Sequence, residues 1–104
     1  MRLQNKVIIV TGSTTGIGKA IALRCVEEGA SVVIHGLEQD LGEQVITKIG
    51  KEKSVLHIED ITAVGATQRL VGKAIKAFGK IDAVVNNAAL VVSSNIHTTD
   101  SAFL

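Results

Sequence analysis

The feature that most restricts the fold of this chain is a glycine-rich loop between two differently patterned segments. Thr11-Gly12-Ser13-Thr14-Thr15-Gly16-Ile17-Gly18 follows a β-branched run at 6–11. It precedes a segment at 17–28 whose apolar residues Ile17, Ala20, Ile21, Cys25 and Val26 recur at helical spacing, with Gly29 as its stop. A strand before and a helix after is the context in which such a loop has chemical meaning. Gly12 can turn the chain as it leaves the strand, Gly16 leaves room for an anion to approach the backbone, and Gly18 lets the helix pack near the sheet. The N–H groups at the helix start, aided by the helix dipole, then face the anion, and Ser13, Thr14 and Thr15 are expected to add hydroxyls at the same rim. The plain alternative is a tight turn that binds nothing. A Walker-type phosphate loop is excluded, because Gly18-Lys19 is followed by Ala20 rather than Ser or Thr.

The same rhythm continues. A second strand is predicted at 31–35, a helix at 40–49 ended by Gly50, and a third strand at 54–58. Thr62 is placed to cap a helix running to Phe78 and ended by Gly79, and a fourth strand follows at 81–85. Thr98 or Thr99 could cap one more helix. Connections this short, with right-handed crossovers, imply an α/β fold of one domain over 1–104: a doubly wound, Rossmann-type parallel sheet in strand order 3-2-1-4, incomplete, with helices on both faces.

Composition narrows the partners. Of 104 residues, 46% are hydrophobic and 20% charged, which suits a packed domain, and the net charge of +1 gives no reason to expect nucleic acid or an anionic membrane. A nucleotide would have to be held by local geometry. The single cysteine, Cys25, excludes an internal disulfide and a multi-cysteine metal site; it falls on an apolar helical position and reads as core. No apolar run approaches the ~20 residues of a membrane span, and the run at 7–10 is too short for a signal peptide, so a cytoplasmic location is expected. His57 and His97 have no partner pattern. His35 ends the second strand and reads as a surface histidine, with cofactor contact as the lesser alternative.

Three motifs in order, Thr11-Gly-x-x-x-Gly-x-Gly18, Asp60-Ile61 after the third strand and Asn86-Asn87-Ala88-Ala89 after the fourth, together with Phe78-Gly79-Lys80-Ile81-Asp82, resemble the short-chain dehydrogenase/reductase family along the whole sequence. The resemblance implies roles. Gly12, Ser13, Thr14, Thr15, Gly16, Ile17 and Gly18 would bind the pyrophosphate and adenosine ribose. Asp60 would accept from the adenine amine, and Ile61 would line that pocket. Asn87, Ala88 and Ala89 would pass under the nicotinamide-side ribose, with Asn86 and Asn87 tying the central strands together. Ala89 stands where the family's motif has glycine. Asp60 also has a rival reading as a carboxylate near a helix start, and the asparagines as strand-end partners.

The cofactor is NAD or NADP. In the family an acid that favours NAD falls at the position of Gly36, and a base that favours NADP at Leu37 or Thr15; this sequence has neither, and Glu38 lies one or two residues late. The family's acid–base chemistry uses a Tyr-x-x-x-Lys pair with a serine, whereas this chain contains no tyrosine. No catalytic residue is therefore assigned, and the chain alone is expected to be inactive, with an unpaired edge on its fourth strand. The leading expectation is the front part of an NAD(P)-dependent, 3-oxoacyl-reductase-like oxidoreductase acting on a carbonyl or alcohol substrate and homo-oligomeric at full length. The alternatives are a non-catalytic dinucleotide-binding or interaction module, and an inert fragment.

Overall fold

A computed structural model describes residues 2–87 of the chain. Ala88, Ala89, His97, Thr98 and Thr99 lie outside the described residues. The chain runs β1 (Val7–Val10), α1 (Gly16–Glu27), β2 (Ser31–Gly36), α2 (Gln39–Ile49), β3 (Ser54–Ile58), α3 (Ala66–Phe78) and β4 (Ala83–Val85). All strand pairs are parallel and the order is β3-β2-β1-β4, the expected doubly wound arrangement. Ile9 pairs in register with Val33 on one side and Val84 on the other.

The β-branched runs form the middle of this sheet because both of their faces are covered. Side chains alternate along β1 and β2. Ile8, Val10, Val32 and Ile34 pack with Ala22, Cys25 and Val45 of α1 and α2, while Val7, Ile9 and Val33 pack with Leu70 and Ala74 of α3. Burying each of these larger side chains contributes about 1.5–3 kcal/mol. The expected helix stops Gly29, Gly50 and Gly79 all have positive φ, a region costing an L side chain about 1–2 kcal/mol. No helix among the described residues is long and apolar enough to cross a membrane.

Three local expectations are corrected. The buried residues of α1 are Gly18, Ala22 and Cys25, and Ile17 is 74% exposed. Of the expected stripe, Cys25 is in the core and Ile21 and Val26 pack against it, while at the helix start Gly18 faces inward because a Cβ there would run into the Gly12 carbonyl. Thr62 does not cap α3. Its N–H and hydroxyl both donate to Asp60 Oδ1, at 2.8 and 2.7 Å, so the chain turns at 60–65 and α3 begins after Gly65. β4 begins at Ala83 rather than 81, because Asp82 is used at the start of β1: Val7 N–H donates to its carboxylate at 2.8 Å, and Asp82 N–H donates to Val7 O.

Candidate functional site

The C-terminal ends of β1, β2 and β3 and the N-terminus of α1 surround a cleft of about 590 Å³. β1 lies between β2 and β4, so the loop after it stands where the strand order reverses, the position at which open α/β sheets form a crevice. Gly12, Thr14, Thr15, Gly16 and Ile17 form one wall, Gly36 and Leu37 the β2 end, and Asp60 and Ile61 the β3 end, with Asn87 beside them. Ten of the expected residues are therefore brought together in one place.

Each glycine position has a local cause. Gly16 has φ +57°, and a Cβ there would meet nothing within 4 Å. The backbone at the start of α1 is thus open to the cleft, with Thr15 as an N-cap whose side chain makes no capping bond. First-turn N–H groups have no i−4 carbonyl to donate to, so this end of the helix favours an anion. Gly18 faces the other way. A Cβ there would run into the Gly12 carbonyl and lie 2.7 Å from Asn87 Nδ2. It does not line the cleft; it permits the close packing that sets the loop.

Ser13 is also directed inward, against the expectation of a hydroxyl at the rim. It is fully buried; its Oγ donates to Val10 O at 2.7 Å and accepts from His35 N–H at 2.9 Å, while its own N–H donates to His35 O at 2.7 Å. Asn87 Nδ2 donates to Gly12 O at 3.1 Å, and Thr11 Oγ1 lies 3.3 Å from Val85 O and 3.4 Å from Asn86 Oδ1. The asparagine pair thereby ties the β4 end to the β1 loop.

His35 corrects a second expectation. It is 2% exposed, not a surface residue. Gly12 N–H donates to its Nδ1 at 3.0 Å, and its Nε2 lies 2.8 Å from Glu59 O. Burial, the largest influence on it, lowers its pKa below the ordinary histidine value. His57 likewise has a partner: its Nε2 is 2.8 Å from Glu59 Oε1. Glu59 Oε2 accepts from Arg69 of α3, from Nε at 2.7 Å and also from Nη2, and Arg69 Nη2 donates to Val64 O at 2.7 Å. The Arg69 guanidinium first, then His57, holds the Glu59 carboxyl down at about 2. This cluster braces the turn that presents Asp60. The Thr62 bonds lower the Asp60 pKa, and its Oδ2 has no partner among the described residues.

Glu38, Leu41 and Thr62 also line the cleft, although the motifs did not assign them. Glu38 stands at the N-cap of α2 with extended backbone, which carries it back toward the β2 end. A carboxylate so soon after a β2 end was the available signal. Among the described residues no group of three or more His, Cys, Asp or Glu could hold a metal ion.

The family model described as short chain dehydrogenase matches residues 6–103. The chain belongs to that family. It is 42% identical over 99 residues to an NADP-dependent (R)-specific alcohol dehydrogenase of Lentilactobacillus kefiri, covering 94% of this chain and 39% of that protein. Against zerumbone synthase of Zingiber zerumbet the identity is 35%, covering 99% of this chain and 39% of that one. The crystal structure of apo glucose dehydrogenase from Caenorhabditis elegans superposes with a TM-score of 0.79 at 32% identity, covering 84% of this chain and 39% of that chain. The chain thus spans 39% of the length of these two curated short-chain dehydrogenase relatives.

Proposed function

We propose that this chain is the dinucleotide-binding part of an oxidoreductase that moves hydride between a nicotinamide and a carbonyl or alcohol substrate, of the 3-oxoacyl-reductase-like kind. The observation that carries the reading is the open face at Gly16: positive φ, nothing within 4 Å of its Cβ position, and the α1 N-terminus behind it. That is a cradle for a pyrophosphate. The other residues of the cleft suit the rest of a dinucleotide. Asp60 Oδ2 is an acceptor for the adenine amine, Ile17 and Ile61 offer apolar surface to the adenosine, and Gly36, Leu37, Thr14 and Thr15 border the ribose. Asn87, with Ala88 and Ala89 following in sequence, leads toward the nicotinamide side. Ser13 and Gly18 act from behind, by shaping the loop.

When bound, the dinucleotide supplies or receives the hydride. The chain's own residues bind and orient it; they include no tyrosine, and none of them is assigned to the proton at the substrate oxygen. The similarity to an (R)-specific alcohol dehydrogenase supports a carbonyl/alcohol substrate, and that relative's NADP dependence keeps NADP beside NAD. A cytoplasmic, homo-oligomeric enzyme fits the family; neither nucleic acid nor a membrane is a proposed partner. The missing tyrosine equally supports a second reading, a non-catalytic dinucleotide-binding module.

Titrating NAD and NADP into the protein tests this. Saturable binding and a rise in Tm are expected, since a ligand that binds only the folded state stabilises it. No shift with either dinucleotide sinks both readings. Binding without turnover of any carbonyl or alcohol would leave the second.

A further inference from the structure

Among the described residues, His35 is the buried titratable group that joins the two walls of the cleft, and its hydrogen bonds dictate its chemical form. A peptide N–H can only donate and a peptide carbonyl can only accept. Gly12 N–H points at Nδ1 and Glu59 O at Nε2, at 3.0 and 2.8 Å. The ring must therefore be neutral and protonated at Nε2 alone. An imidazolium has no acceptor, so its Nδ1–H would confront the Gly12 N–H. The backbone of residue 35 is joined to the same loop through Ser13 N–H and Ser13 Oγ.

We propose that His35 is a positioning residue that holds the Gly12 turn in its binding form only while its ring is neutral, so that dinucleotide binding falls and expels a proton under mildly acidic conditions. The proposal rests on the dinucleotide reading above. Ring protonation would push Gly12 away from Nδ1 at the point where the loop leaves β1. Its effect would pass to the pyrophosphate cradle four residues on. The groups facing the ring are His57 on β3, which opposes protonation of His35, and Glu59 and Asp60 beyond β3, which favour it; Arg69 from α3 is engaged by Glu59. Burial outweighs the two carboxylates, and the acid limb accordingly lies below the ordinary histidine value.

The experiment is calorimetric titration of NAD and NADP into the complete protein between pH 5 and pH 8, in buffers of different ionisation enthalpy. His35→Asn is the comparison, since its amide oxygen can still accept from Gly12 but cannot titrate. The 2′-phosphate of NADP titrates alike with both proteins, so the readout is wild type minus variant. Wild type should lose affinity as pH falls below the pKa of the ring, by up to about tenfold per pH unit, releasing at most about one proton on binding. His35→Asn should bind within several-fold of wild type at pH 7.5, with a flatter profile and no such release. Identical pH profiles and proton counts in the two proteins overturn the proposal while leaving dinucleotide binding intact. Failure of wild type to bind either dinucleotide at pH 7.5 removes the underlying reading and the proposal with it. If the variant does not fold, the ring ¹⁵N shifts of wild-type His35 decide: a bare Nδ1 and protonated Nε2 at neutral pH support the proposal, and a proton on Nδ1 overturns it.

Discussion

The side chain of Thr14 fills the space that a Cβ on Gly36 would occupy, with Cγ2 at 2.5 Å and Oγ1 at 2.7 Å from that position. The family's NAD-favouring acid would fall at residue 36, so in this chain it is excluded by packing as well as by sequence. Gly36→Ala should cost about 1–3 kcal/mol, the usual penalty of overpacking. Thr14→Ala removes both close atoms. In a double-mutant cycle followed by denaturant unfolding, the pair should be less destabilised than the sum of the singles. Additive costs would mean that the two residues do not meet.

Gly16 separates binding from folding. A side chain there meets no protein atom, but φ of +57° carries a backbone cost of about 1–2 kcal/mol. Gly16→Val should therefore lower Tm modestly and reduce dinucleotide affinity more than tenfold, because the new side chain stands in the cradle. Unchanged affinity by calorimetry would count against the α1 N-terminus as the pyrophosphate site.

Glu38 tests cofactor choice. It lines the cleft beside Gly36 and Leu37. A carboxylate near a 2′-phosphate opposes it by about 1 kcal/mol across a wet surface. Glu38→Gln should improve NADP binding relative to NAD roughly fivefold, measured as the ratio of the two Kd values. A ratio unmoved by the substitution would remove Glu38 from the ribose site.

Glu59 gives the acid stability a definite window. Its carboxyl is held at about 2 by Arg69 and His57, against an ordinary 4.5. As pH falls, the unfolded chain takes up this proton first, so the stabilisation is complete above about 4.5 and is lost progressively toward 2. His35 acts at higher pH. Its pKa is lowered on folding, so its contribution is complete above its ordinary 6.5 and declines as pH falls from there. Glu59→Gln should lower stability at neutral pH and flatten the profile between 4.5 and 2 in urea titrations. A profile parallel to wild type in that interval would show that the ion pair does not survive in solution.

What could be read from the sequence was local or periodic. The loop 11–18, the β-branched runs of β1 and β2, and the helix stops at Gly29, Gly50 and Gly79 each rest on residues a few positions apart, and they led to the parallel 3-2-1-4 sheet. The resemblance placed Asp60, Ile61 and Asn87 at the same cleft before the structure brought them together there. The reading failed where a side chain had several competing partners and only the folded chain decided among them. Cys25 of the expected inward stripe is buried, but Ile17 is exposed, and at the helix start Gly18 took the inward face because the Gly12 carbonyl left space only for a missing side chain. Ser13 and Thr62 were each placed by hydroxyl chemistry at a rim or a cap, and each spent its bonds elsewhere.

The sequence by itself determined the order of elements and the glycine loop that opens the start of helix α1, because spacing and backbone propensity act within one element. Only the tertiary structure decided what His35 is. Its partners Gly12 and Glu59 lie 23 and 24 residues away, at the ends of two other strands, and folding alone brings a donor and an acceptor to opposite sides of one ring. Hydrogen-bond complementarity then selects a single tautomer, a choice that a histidine at the end of a strand does not make for itself.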